Sequence, residues 1–169
     1  MDATDLLADA FGRLPDLYDS VASGLDEPRL TERPGGTGNS IGWLLWHLAR
    51  VEDDHVADLA GSEQVWDAGW RERFDLPLSP HDTGFGHTDE QVGAVRIADP
   101  SLLVGYYREV HARTTDHLAG LSADDLDRVV DAGWDPPVTA GVRLVSVQGD
   151  ALQHLGQAAY LKGLQERSR

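Results

Sequence analysis

Residues 145–164, VSVQGDALQHLGQAAYLKGL, and residues 39–56, NSIGWLLWHLARVEDDHV, decide the fold of this chain. Each stretch repeats apolar residues three or four positions apart, the spacing that gives an α-helix one apolar face. In the second stretch and just beyond it, this face comprises Ile41, Leu44, Leu45, Leu48, Val51, Val56 and Leu59. Both stretches therefore predict long helices whose apolar faces pack inside a folded domain.

Three side chains that can bind a metal lie in these two helices. Asp150 and His154 are four positions apart, so they share one face of the last helix. His47 follows Trp46 and lies near the apolar face of its own helix. If the two helices are antiparallel neighbours, two imidazoles and one carboxylate can converge on one divalent metal. Three protein ligands with open positions are typical of a catalytic or substrate-binding metal.

The same residues also allow a structural interpretation. A lone histidine near an apolar face is more often a hydrogen-bonded core residue than a ligand. An acid and a histidine four positions apart can form a hydrogen bond at the surface. Burying either group unpaired is costly, so within a mostly apolar helix they must pair or bind something. The spacing by itself leaves both interpretations open.

The rest of the sequence predicts an all-α four-helix bundle, a single domain over residues 1–169. Apolar periodicity and capping residues predict helices at residues 3–23, 40–60, 100–118 and 142–166, with a short helical piece at 122–130. Glycine and proline predict a loop at 24–38 and one long irregular crossover at 61–87. No alternating run is long enough to predict a strand.

Two further features are candidates for supporting roles. Asp54 lies seven residues further on, close to the same helix face, and is predicted to accept a hydrogen bond from a metal-binding imidazole. His55 is turned further round the helix and is the poorer co-ligand. The segment HDTGFGH, residues 81–87, predicts a glycine-rich turn that could line a pocket.

Composition excludes several classes of function. The net charge of −15 argues against nucleic acid and anionic lipid as partners, and favours a neutral or cationic small molecule. The chain has no cysteine, which excludes disulfides, thiolate ligands and a cysteine nucleophile. The acidic N-terminus and the lack of an 18-residue apolar run predict neither a signal peptide nor a membrane span, so we expect a cytoplasmic protein.

The WHL element at residues 46–48 and the HxGQ element at 154–157 resemble the DinB-like superfamily. This superfamily includes actinobacterial-type proteins and the metal-binding domain of mycothiol-dependent maleylpyruvate isomerase. The resemblance spans nearly the whole chain and implies a four-helix bundle that holds a divalent metal through three side chains. The positions of these three metal-binding side chains match His47, Asp150 and His154. Many members have histidine at the position of Asp150, whereas the isomerase-like branch has a carboxylate there.

The resemblance also implies an enzyme of the thiol S-transferase type. Metal coordination favours a thiolate at neutral pH, and the thiol must come from a small cosubstrate, for which mycothiol or bacillithiol is the family expectation. Zinc is the first expectation for the metal, with nickel and iron(II) as alternatives. Two other functions stay open: a hydrolase in which metal-bound water attacks, and a non-catalytic bundle that binds a metal or ligand. A homodimer is also expected from such bundles.

Overall fold

Helices make up nearly all the regular structure of residues 1–167, the part of the chain that the computed structural model describes. The predicted all-α fold is confirmed. In chain order the α-helices are α1 (Ala3–Gly12), α2 (Leu14–Ala22), α3 (Glu27–Thr31), α4 (Ile41–Ala60), α5 (Trp70–Phe74), α6 (Asp89–Ala94), α7 (Pro100–Ala119), α8 (Ala123–Leu126) and α9 (Ala140–Arg167). Short 3₁₀ turns lie at Pro34–Gly36 and Val65–Asp67, and strands β1 (Val129–Asp131) and β2 (Val138–Thr139) form a small antiparallel pair.

The four-helix arrangement is built around α4. This helix packs against α9 on one side and α7 on another, while α1 and α2 together supply the fourth member against α7 and α9. The Ser40 side chain accepts a hydrogen bond from the Trp43 backbone N–H and caps α4. Gly61, in the left-handed conformation, ends it. Almost the whole of α4 is buried, so polar side chains on it lie inside the bundle.

The first predicted helix, residues 3–23, is divided in two, which corrects the sequence prediction. Pro15 stands in the first turn of α2, where its missing N–H costs nothing, but it cannot continue a helix from α1. The segment predicted as a loop at 24–38 also contains α3, which Asp26 caps. Both errors have the same cause. The apolar spacing was read over a long stretch, and this concealed the local effects of Pro15 and of the Asp26 cap.

The expectation of no strand is wrong for residues 129–139. The piece predicted as helical to Val130 ends at Leu126, and β1 and β2 follow it. Helix α9 begins at Ala140, two residues before the predicted start at Val142, and the Ala140 N–H donates to the Arg128 carbonyl in the preceding hairpin. Strands of two or three residues are too short for an alternating pattern to detect.

The predicted long crossover between α4 and α7 is confirmed, and it is an ordered cover over the core. Its aromatic residues Trp66, Trp70 and Phe74 are buried. The Asp53 carboxylate on α4 accepts hydrogen bonds from the backbone N–H groups of Val65 and Trp66, each at 2.8 Å. These hydrogen bonds attach the start of the crossover to the face of α4, so the crossover runs back across this helix. Among residues 1–167, no helix is both long and apolar enough to cross a bilayer.

Candidate metal centre

Packing of α4 against α9 brings together the three side chains that the sequence selected. His47, Asp150 and His154 each offer one ligand atom, and these atoms lie within 4.8 Å of one another. The two imidazole rings meet edge to face, with their centroids 4.7 Å apart. Within residues 1–167, no other group of three or more such side chains comes close enough to hold an ion.

His47 is buried and held in one tautomer. Its Nδ1 lies 2.5 Å from the carbonyl oxygen of Thr83, and a carbonyl only accepts, so Nδ1 carries the proton. Nε2 therefore keeps its lone pair. Burial, the largest effect, lowers the pKa of His47, although the Thr83 hydrogen bond acts in the opposite direction. The ring is thus a neutral imidazole, the form that binds metals.

The predicted role of Asp54 as the acceptor for this imidazole is wrong. Its Oδ1 accepts a hydrogen bond from the Gln64 side chain at 2.7 Å, and Thr83 supplies the acceptor for His47 instead. The sequence could not identify Thr83 as the acceptor, because the group involved is its backbone carbonyl, which every residue has. The glycine-rich pattern of residues 81–87 indicated only that a turn lies there.

His154 is oriented by its own helix. Its Nδ1 lies 2.9 Å from the backbone carbonyl of Asp150 and donates to it, so Nε2 keeps its lone pair in the neutral ring. Burial works to lower the pKa of His154, but its hydrogen bonding to Asp150 and the negative charge there outweigh burial and raise that pKa.

The carboxylate of Asp150 is the observation that best fits a cation. Its Oδ2 lies 3.3 Å from His154 Nδ1, a charge contact only, since that N–H is directed at the carbonyl. Oδ2 is buried and has no hydrogen-bond partner among the described residues. Burial works to raise the pKa of Asp150, but contact with His154 and the charges of both histidines lower it. A buried, ionised oxygen without a hydrogen bond is costly, and a bound cation would satisfy it.

A second group of side chains surrounds the centre on the crossover side. The Trp43 ring stacks on His47, with centroids 4.5 Å apart, and its Nε1–H donates to His87 Nδ1 at 3.1 Å. His87 Nε2 donates in turn to Asp82 Oδ1 at 2.8 Å. Both nitrogens of His87 are therefore occupied, and His81 is exposed to solvent. Neither histidine of the 81–87 segment joins the ligand group.

A cavity of about 490 Å³ opens beside the candidate ligands, within the usual range for a small-molecule site. Its wall is formed by His47, Val51, Asp54, His55, Thr83, Phe85, Ser146, Val147 and Asp150. Phe85 is 92% exposed and stands on this wall between two glycines. The cavity wall therefore combines polar side chains, including those of His47 and Asp150, with an apolar rim at Phe85.

Comparisons with known proteins agree with this architecture. The sequence model of the DinB superfamily matches residues 10–158, which include all three candidate ligands. The crystal structure of a conserved protein from Enterococcus faecalis is 32% identical to this chain, covers 96% of each chain and superposes with a TM-score of 0.89. Among curated proteins, none matches the chain.

Proposed function

The chain belongs to the DinB superfamily, and we propose that it is a divalent-metal-dependent enzyme that transfers a small thiol to an electrophile. The observation that carries the proposal is Oδ2 of Asp150, which is buried, accepts no hydrogen bond from any residue of 1–167 and lies within reach of two imidazoles. Two imidazoles and one carboxylate beside an open cavity are typical of a catalytic metal site.

His47 and His154 would each hold the ion through Nε2, because hydrogen bonds to backbone carbonyls occupy both Nδ1 atoms. Asp150 would hold it through Oδ2. Zinc suits this donor set best, and nickel(II) and iron(II) accept the same ligands. With two neutral ligands and one anionic ligand, the centre would keep a net charge near +1, which favours an anion in the open position.

When bound, such an ion supplies Lewis acidity, which favours the deprotonated form of a thiol that reaches it. The protein has no cysteine, so this thiol must arrive as a small molecule such as mycothiol or bacillithiol. The polar side chains of Asp54, His55 and Ser146 would contact the hydrophilic cosubstrate. Val51 and Phe85 offer an apolar surface to the electrophile. In the reaction a C–S bond forms, the leaving group departs with its electron pair and the thiol proton goes to solvent.

The test is a thiol-dependence assay on zinc-loaded protein with a chlorinated fluorogenic electrophile. Mycothiol, bacillithiol and glutathione are compared with a reaction that lacks thiol, and His154→Ala provides the control for the site. We expect conjugation with one small thiol above the uncatalysed rate and none in the variant. Turnover of ester or amide substrates without any thiol would indicate a hydrolase instead. A protein that binds zinc but turns over neither kind of substrate would indicate a non-catalytic metal-binding bundle.

A further inference from the structure

We infer that residues 82–84 of the crossover, held in place by His87, position the ligand His47 of the metal centre, and that Gly84 and Asp82 act through His47. The inference rests on the proposed function, because it assigns a role toward the metal. These residues lie in a loop over residues 82–87, which we term the 82–87 turn, and none of residues 82–84 or His87 offers a ligand atom to the ion. They determine instead where the ring of His47 stands and which of its nitrogens carries the proton.

The first step in the argument is that α4 alone leaves the ring of His47 free to rotate about its side-chain bonds. Two contacts from different directions remove that freedom. Trp43 stacks on one face of the ring at an interplanar angle of 15°, and the Thr83 carbonyl accepts from Nδ1 at the ring edge. Without the carbonyl, the proton could move to Nε2 and remove the lone pair that would bind the ion.

The second step is that the carbonyl reaches His47 only because the next residue is glycine. Gly84 has φ of +92°, which L-residues rarely adopt. A Cβ there would lie 2.7 Å from His47 Nδ1, 3.1 Å from the Trp46 ring and 3.2 Å from the Trp43 ring. All three rings are buried, so they have little room to retreat. A side chain at residue 84 would push either His47 or the turn out of place.

The third step is that the turn is itself fixed. Asp82 Oδ1 accepts hydrogen bonds from the Gly84 backbone N–H and from His87 Nε2, each at 2.8 Å. His87 accepts from Trp43, and the Arg50 side chain donates to the Asp82 carbonyl at 3.2 Å. The turn thus contacts α4 through residues 43, 47 and 50, which share one helix face. These hydrogen bonds are only partly exposed to solvent, and together they support the position of His47.

Two glycines of the same turn provide a matched test. Gly84→Ala and Gly86→Ala both place alanine at a positive φ, +92° and +72°, but a Cβ at residue 86 meets no described atom within 4 Å. We expect Gly84→Ala to weaken zinc binding by about 10–100-fold, the usual effect of losing a ligand's supporting contact. Gly86→Ala should bind zinc like the wild type. A chelator competition titration measures affinity, and the visible spectrum of the cobalt(II)-loaded proteins reports ligand geometry.

A second pair of variants decides the question if Gly84→Ala does not fold. Asp82→Ala releases the turn without a clash, and Asp82→Asn keeps an oxygen that accepts from Gly84 and His87. We expect Asp82→Ala to lose zinc affinity and to change the cobalt spectrum while circular dichroism stays helical, and Asp82→Asn to recover most of both. If wild type binds zinc and both Asp82→Ala and any folded Gly84→Ala match its affinity and spectrum, the positioning role is overturned and the metal site stands. If wild type binds no zinc, the proposed function and this inference both fall.

Discussion

Two carboxylates on neighbouring helices illustrate how single residues differ in this protein. Asp53 is buried yet accepts hydrogen bonds from two backbone N–H groups, from Tyr106 and from Arg50, so its charge is satisfied by the protein. The Oδ2 of Asp150 accepts no hydrogen bond from any described residue and lies close to His47 and His154. Asp53 has the hydrogen bonds expected of a structural carboxylate. Asp150 has an open oxygen, as expected of a metal ligand. Residue identity and spacing selected Asp150, but its unsatisfied oxygen became apparent only from the fold.

Replacing Asp150 by histidine tests whether this position is a ligand. Histidines four positions apart on one helix can bind a single ion, so Asp150→His should retain metal while Asp150→Ala should lose it. Metal content measured by elemental analysis on proteins purified side by side distinguishes the two. Loss in both variants would mean that Asp150 does something other than coordinate the ion.

Glu52 gives a prediction about pH. Its side chain is fully buried on α4, and burial raises its pKa to about 7, while hydrogen bonds from Thr114 and Tyr107 oppose the rise and the charge of Asp53 adds to it. His111 Nδ1 lies 3.9 Å from Glu52 Oε1. Because the folded pKa exceeds the ordinary value of 4.5, folding takes up a proton. The contribution of Glu52 to the free energy of unfolding is therefore complete below pH 4.5 and is lost as pH rises through about 7.

We expect Glu52→Gln to remove this part of the pH dependence. Between pH 5 and pH 8 the wild type should lose about 2–3 kcal/mol of unfolding free energy more than the variant does. Urea unfolding at the two pH values measures the difference, and Glu63→Gln, an exposed acid close by, is the control. Equal losses in wild type and Glu52→Gln would contradict a raised pKa.

At the scale of elements, helix packing depends on close approach at a few glycines. Gly42 lies in the first turn of α4, where a Cβ would come within 2.9 Å of the Leu30 carbonyl at the end of α3. Gly156, in the middle of α9, is exposed, and a Cβ there meets no described atom within 4 Å. The two glycines therefore have opposite consequences for stability.

Gly42→Ala should destabilise the protein by about 1–3 kcal/mol, because a backbone carbonyl must move to admit the methyl group. Gly156→Ala should stabilise it by about 0.5–1 kcal/mol, since alanine is the better helix former and space is open. Urea unfolding at constant pH measures both. A neutral Gly42→Ala would show that α3 moves away from α4 without cost.

The crossover is the element that carries the rim of the cavity. Phe85 extends into solvent on the cavity wall and packs against nothing in the core, so Phe85→Ala should leave stability and zinc affinity unchanged. Its loss should raise KM for electrophiles with an aromatic body by about tenfold, the value of one lost apolar contact of this size. His81→Ala, exposed and outside the cavity wall, is the control. An unchanged KM in Phe85→Ala would show that the Phe85 side chain does not contribute to substrate binding.

For the whole molecule, the sequence predicted what depends on periodic side chains. Long apolar repeats predicted α4, α7 and α9, and the four-residue spacing of Asp150 and His154 predicted two ligands on one face. Three features escaped prediction for physical reasons. The hairpin at 129–139 is too short for an alternating pattern, Pro15 divides a helix whose periodicity continues, and Thr83 acts through a backbone carbonyl. The centre therefore needs the complete fold, because α4, α9 and the crossover each contribute to it.

Metal content is the measurement that tests the central claim most directly. Elemental analysis of untagged wild-type protein should find about one divalent ion per chain, as expected for a single three-ligand site. His47→Ala and His154→Ala should each lose it, since either removes one of three ligands. Wild-type protein that holds no metal after incubation with zinc, nickel(II) or iron(II), or variants that keep the full amount, would contradict a metal centre at these residues.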